Sequence, residues 1–233
     1  MRRSLAIVCL ALLMLVLTGC DGSLYVDMET RLQNSEGKGE LLVTVSGTGD
    51  VNEALKNGDF SEYFSRVEAE GFFVRQYAEG DMGVIEIGGS FESLESLNTL
   101  QADLLAPLKL APIIRAETLP GLFSSRNIFD VTFKNLDGEE EASIPTFFSG
   151  QQPPADVVPD TFVTYRLTTP GKIVSSNALQ VEKNSAVWTL SDTQIQSGIS
   201  LGVLSQQWQY GRIAGAALLL VLVVISLYRW LFM

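Results

Sequence analysis

Histidine is absent from the 233 residues of this chain, and cysteine occurs only twice, as Cys9 and Cys20. Without histidine the chain lacks the commonest general base and the commonest neutral metal ligand of proteins. Because both cysteines lie in the first twenty residues, a disulfide framework for the remainder is excluded. Basic residues are also few, with 16 Lys and Arg against 27 Asp and Glu and a formal net charge of −11. Such an acidic chain is a poor partner for nucleic acid.

The N-terminus has the pattern of a signal peptide. A short basic stretch, "MRR", precedes an almost wholly apolar run that is too short for a comfortable membrane span. The run ends in Leu17, Thr18, Gly19 and Cys20, a sequence that resembles the bacterial lipobox. The resemblance implies cleavage before Cys20 and a diacylglyceryl thioether, with acyl chains such as palmitate, on its sulfur. The alternative is an ordinary signal peptide with an incidental cysteine. We therefore predict a signal peptide over residues 1–19 and a lipid anchor at Cys20.

A second apolar segment lies at the other end of the chain. Residues 213–228 carry no charge, and a helix from Ile213 to Met233 would rise about 31 Å, roughly one hydrocarbon core. Trp208 and Tyr210 stand where aromatic belts are found. We therefore expect a transmembrane helix over residues 206–233. The intervening domain would lie on the extracytoplasmic side of the cytoplasmic (inner) membrane, with the C-terminus in the cytoplasm.

The chain between these ends, residues 20–205, has the patterning of one extracytoplasmic domain. Polar and apolar residues alternate over residues 24–46 and again over 72–91, as in two β-hairpins. Helical spacing follows each hairpin, with a break at Gly58 in the first helical region and a stop at Pro107 after the second. Residues 136–160 are acidic and proline-rich, which is typical of an exposed loop. The pattern predicts an α+β fold, an antiparallel sheet built from hairpins with two main helices packed on one face.

One stretch of this domain resembles a known family. The segment "TPGKIVSSNALQVEKNSAVWTL", residues 169–190, is similar to the LppM domain of bacterial lipoproteins. The resemblance implies an extracytoplasmic α+β domain and binding of a lipid or glycolipid. Its distinctive residues are expected to be structural, with two in a turn and the tryptophan in the core. They are Pro170, Gly171, Ser176, Asn177 and Trp188.

Nothing in the sequence indicates catalysis. The motif "GISLG", residues 198–202, matches a nucleophile elbow, but Ser200 would need a histidine to activate it and the chain has none. The acidic run "DGEEE", residues 137–141, is more typical of a solvated loop than of a calcium site. We therefore expect a protein that is not an enzyme and that holds no metal and no cofactor.

Two functional hypotheses remain. The leading one is a membrane-anchored surface lipoprotein whose non-catalytic domain binds a lipid, glycolipid or other amphipathic envelope ligand. Its candidate apolar cavity would have walls from five side chains, which in the alternative form an ordinary filled core: Phe60, Tyr63, Phe64, Leu97 and Leu104. The second hypothesis is a structural adaptor of the cell envelope, which contacts another protein and binds no small molecule. The expected partners are therefore the lipid bilayer, an amphipathic ligand or an envelope protein, and not nucleic acid.

Overall fold

The structure is a computed structural model that describes residues 22–34, 36–105, 110–135 and 160–232. The lipobox residues Leu17 to Cys20 lie outside these ranges, as does most of the acidic, proline-rich segment. Within them the chain forms mainly β-structure, arranged as two sheets around one apolar core.

The larger sheet has seven strands in the order β3-β4-β2-β1-β7-β10-β9. Its first two hairpins are those that the alternation predicts, and both pair antiparallel. The centre of the sheet differs from the predicted antiparallel arrangement. There β1 pairs in parallel with β7, which comes more than a hundred residues later. The strands are β1 (Ser23–Leu32), β2 (Gly39–Gly47), β3 (Phe73–Glu79), β4 (Met82–Phe91), β7 (Asp160–Thr168), β9 (Gln180–Glu182) and β10 (Ser185–Ser191).

The smaller sheet has four strands in the order β5-β6-β11-β8, and all its pairings are antiparallel. The edge strand β5 includes Pro112 and Pro120, residues that are tolerated at a sheet edge because one side needs no N–H donor. A register shift interrupts the β8–β11 pairing between Leu204 and Ser205. The strands are β5 (Leu110–Pro120), β6 (Ser124–Asn135), β8 (Lys172–Ser176) and β11 (Ser200–Trp208).

Five helices accompany the sheets in the described ranges. The predicted break at Gly58 is present, since it separates the first two helices. The helix before Pro107 ends at Leu105. They are α1 (Gly49–Asn57), α2 (Ser61–Ala69), α3 (Leu94–Leu105), α4 (Asp192–Gln196) and α5 (Tyr210–Phe232).

The core lies where the inner faces of the two sheets meet. Phe133 of the small sheet packs edge-on against Tyr165 of the large sheet, with 5.8 Å between ring centroids. Trp188 lies 6.0 Å from Tyr165 on the next strand. The alternation of apolar and polar residues explains which side chains point into the core. Along β1, Val26 and Met28 are buried, while the intervening Asp27 is exposed. Helices α1 to α3 add Val51, Val67 and Leu97 to the same cluster.

The predicted fold class is wrong. The α+β arrangement assumed a single antiparallel sheet with two helices on one face, whereas the described chain is mostly β and has two sheets. The error has a physical cause. The strands after residue 110 do not extend the first sheet but form a second one, and its apolar face takes the place that helices were expected to fill.

The predicted transmembrane helix needs a correction as well. Residues Tyr210–Phe232 are helical. Yet among the helices in the described ranges none combines the length and the apolarity needed to cross a membrane. The apolar side chains from Leu218 to Ile225 are exposed on α5.

Candidate functional site

Four of the five predicted cavity residues have described side chains, and these fall into two environments. Leu97 on α3 is fully buried in the core. Phe60, Tyr63 and Phe64 form a half-buried aromatic cluster packed against that core, with centroid separations of 5.9 Å and 6.2 Å to the ring of Phe64. Burial raises the pKa of Tyr63 to about 12. The side chain of Leu104 lies outside what the structure describes.

A buried amide occupies the same face of α3. Gln101 follows Leu97 by four residues on α3, so the two side chains share one helical face. The side chain of Gln101 is fully buried. Neither its Nε2 nor its Oε1 has a hydrogen-bond partner among the residues that the structure describes. A buried amide left unpaired costs about 1–3 kcal/mol for each group, so Gln101 is a costly residue at this position.

Asn98, a neighbouring amide on α3, has hydrogen-bond partners for both its donor and its acceptor. Asn98 Nδ2 donates to the carbonyl oxygen of Ile114 at 2.9 Å, and the Ile114 N–H donates to Asn98 Oδ1 at 2.8 Å. The side chain thereby pairs with the backbone of the edge strand β5. Asn98 therefore has a structural role, whereas Gln101, three residues later, has no hydrogen-bond partner among the described residues.

Two further buried polar groups face each other on the small sheet. Asn127 of β6 and Ser205 of β11 are register partners, and both are fully buried. Asn127 Oδ1 accepts a hydrogen bond from Thr118 Oγ1 at 3.0 Å. Its Nδ2 and the Oγ of Ser205 have no partner in the described part of the chain. The sequence analysis did not identify Gln101, Asn127 and Ser205. The burial of a polar side chain can be recognised only when it is known which face of its helix or strand packs against the core.

The residues behind the family resemblance form a hydrogen-bonded link between the sheets. Asn177, just after β8, accepts from Trp188 Nε1 at 3.0 Å and from the Gly202 N–H at 2.9 Å, and its Nδ2 donates to the Ser200 carbonyl at 3.0 Å. Ser176 Oγ donates to the Gly202 carbonyl at 2.9 Å. Trp188 belongs to the large sheet and Gly202 to the small one, so these hydrogen bonds connect the two sheets.

The turn before β8 is equally constrained. Gly171, after the half-buried Pro170, has φ of +138°, which side-chain-bearing residues rarely adopt. A Cβ at Gly171 would lie 2.6 Å from the carbonyl oxygen of Gln206 on β11. Together with Asn177, this close approach explains why the segment has its particular residues without any reference to a ligand.

The "GISLG" motif does not form a nucleophile elbow. Ser200 is the first residue of β11 and pairs with Thr132 of β6, so a strand follows it where the elbow requires a helix. Its hydroxyl donates to the carboxylate of Asp130. With no histidine in the sequence, the pair lacks the base of a Ser-His-Asp triad.

Comparison with known proteins gives little further guidance. No protein-family model matches this sequence, and no curated protein matches it. Among solved structures, the chain is similar to the folded domain of the LppM protein of Mycobacterium tuberculosis, determined by NMR. The TM-score is 0.40 at 12% sequence identity, over 81% of this chain and 92% of that domain.

Proposed function

We propose that this protein is a non-catalytic lipoprotein of the bacterial envelope that binds an amphipathic ligand, such as a lipid or glycolipid, in its interior. The observation that carries the proposal is the fully buried amide of Gln101 on the same helix as Leu97, which has no hydrogen-bond partner in the described part of the chain. An apolar tail suits the surrounding side chains, while a hydroxyl or ester group of the ligand would pair with the amide.

The chemistry of the chain supports a binding role over a catalytic one. Ser200 and Asp130 are hydrogen-bonded, and the sequence has no histidine that could complete a catalytic triad with them. The amides of Gln101 and Asn127 and the hydroxyl of Ser205 are neutral groups with little acid–base capacity near pH 7. Neutral donors and acceptors inside an apolar interior are suited to holding a ligand that is itself uncharged where it is buried.

The proposed location follows from Cys20. A diacylated cysteine holds a protein stably at a membrane because two acyl chains give enough buried methylene groups. We place the domain outside the cytoplasmic membrane, anchored by this lipid, where envelope lipids are available as ligands. The first strand begins at Ser23, three residues after Cys20, so the anchor leaves the domain close to the bilayer surface.

The test compares two leucine substitutions in the full-length protein, purified from bacterial membranes in a mild detergent. Gln101→Leu removes the buried amide at nearly constant volume, and Gln33→Leu adds a leucine at an exposed position. Native mass spectrometry and lipid extraction should find a bound lipid in the wild type and in Gln33→Leu but little in Gln101→Leu. Equal lipid content in all three proteins, or none in any, would contradict the proposal.

A structural adaptor is the rival function, and one observation favours it. Tyr25 and Phe162 are register partners on the outer face of the large sheet, stacked with 5.6 Å between centroids. They are 39% and 40% exposed, and Phe73 and Tyr77 on β3 are similarly exposed. Exposed aromatic residues are enriched at protein interfaces. A photo-crosslinking residue at Tyr25 that captures one envelope protein, in a protein that carries no lipid, would favour the adaptor.

A further inference from the structure

Three chain segments meet at one end of the small sheet, and we call this region the aromatic end. It comprises the β5–β6 hairpin tip (119–126), the start of β8 (172–174) and the chain from the end of β11 into α5 (206–212). Gln206 of β11 pairs with Arg126 on one side and with Lys172 on the other. The Gln209 N–H donates to the Phe123 carbonyl oxygen at 2.8 Å, which joins the hairpin tip to the chain entering α5.

Large apolar side chains are exposed across the aromatic end. Leu122 at the hairpin tip is 76% exposed, and Tyr210 is 75% exposed. A patch of this kind costs free energy in water and marks a surface that something else contacts. The exposed side chains are Leu119, Leu122, Phe123, Val174, Trp208 and Tyr210.

The charge of the aromatic end is opposite to that of the protein. Its three segments contain Arg126, Lys172 and Arg212, all exposed, and no Asp or Glu, although the chain has 27 acidic residues against 16 basic ones. The nearest acidic residue along the chain is Glu117 on β5. The Arg212 guanidinium also donates to the Gly121 carbonyl at 3.4 Å, so this cation is held beside the exposed hairpin tip.

We infer that the aromatic end docks on the surface of an anionic lipid bilayer. Trp and Tyr are enriched where membranes meet water, because their rings suit the apolar side and their polar atoms the wet side. Leu122 and Phe123 would insert below the headgroups, while the cations lie at the level of the phosphates. The acidic remainder of the domain is repelled from the same surface, so charge favours this end. The inference does not depend on an internal ligand.

Site-directed spin labelling of the full-length protein in lipid nanodiscs tests this orientation. The mature chain has no cysteine besides the predicted anchor Cys20, so an added cysteine gives a single label. Leu122→Cys places the label at the hairpin tip, and Asp81→Cys places the control label in the β3–β4 turn of the large sheet. In nanodiscs that contain phosphatidylglycerol, oxygen should relax the Leu122 label more than a water-soluble nickel complex does, and the Asp81 label should show the reverse.

Charge reversal supplies the second measurement. The triple variant Arg126→Glu, Lys172→Glu and Arg212→Glu should lower the fraction of inserted Leu122 label more than about tenfold, because each cation near an anionic surface contributes to binding. The wild type in pure phosphatidylcholine should show a smaller loss. A Leu122 label accessible to the nickel complex in anionic nanodiscs would overturn the inference. So would a label protected from both reagents, since that result indicates a protein contact.

Discussion

The inter-sheet link at Asn177 gives the sharpest prediction about stability. Its side chain makes three hydrogen bonds, to Trp188 Nε1 at 3.0 Å, to the Gly202 N–H at 2.9 Å and to the Ser200 carbonyl at 3.0 Å. Trp188 is buried, so its indole N–H has little contact with solvent while the amide is in place. At about 1 kcal/mol for each net hydrogen bond, Asn177→Ala should destabilise the domain by about 3 kcal/mol.

A second substitution separates the contributions. Asn177→Asp keeps the acceptor for Trp188 and Gly202 but replaces the donor to Ser200 with a carboxylate oxygen facing that carbonyl, so we expect a loss of about 1–2 kcal/mol. Ser175→Ala, at an exposed position two residues earlier, should change the free energy of unfolding by less than about 0.5 kcal/mol. Urea unfolding of the full-length protein in detergent, followed by tryptophan fluorescence, measures all three.

The order of these values decides whether the reasoning holds. The link is a set of hydrogen bonds across two sheets, so the alanine variant must lose more stability than the aspartate variant. If both lose less than about 0.5 kcal/mol, like Ser175→Ala, the link does not hold the sheets together. If the aspartate variant loses as much as the alanine variant, the tryptophan contact is not the important one.

Three further predictions concern a turn, a titration and the anchor. Gly171→Ala should destabilise the domain by about 2 kcal/mol through its φ of +138° and its contact with Gln206, whereas Gly202→Ala, with no atom within 4 Å of its Cβ, should cost about 1 kcal/mol or less in urea unfolding. Because burial raises the pKa of Tyr63 to about 12, the unfolded chain loses this proton first. Unfolding curves at rising pH should therefore show stability falling from about pH 10 to about 12, and Tyr63→Phe should reduce that fall. Cys20→Ala should accumulate the uncleaved precursor on immunoblots, and normal processing at this site would contradict the lipobox prediction.

Local elements of the first sheet were predictable from the sequence. Strict alternation from Leu24 onward fixes which residues of β1 and β2 face inward, and the turn residues between them fix a hairpin. Gly58 and Pro107 mark where helices stop, because a helix at either point would lose stability. These signals depend only on neighbouring residues, so they can be recognised without knowledge of the fold.

The small sheet was not predictable in the same way. Its edge strand β5 contains two prolines, which in a sequence indicate the end of a strand. They are compatible with β5 because it lies at the edge of the sheet. Its third strand in spatial order, β11, begins at Ser200 inside a motif that suggests a different structure. Without these two strands the sequence pattern predicts a single sheet, and the predicted fold class is therefore wrong.

By itself, the sequence determined the composition that excludes histidine chemistry. It also determined the first two hairpins and the helix ends, because the signals for these are local. Tertiary structure alone decided the parallel pairing of β1 with β7, the second sheet, and therefore which polar side chains became buried. Gln101 and Asn127 are ordinary amides in the sequence, and only packing removes them from water. The physical reason is that burial and long-range strand pairing depend on residues far apart in the chain, which no local pattern encodes.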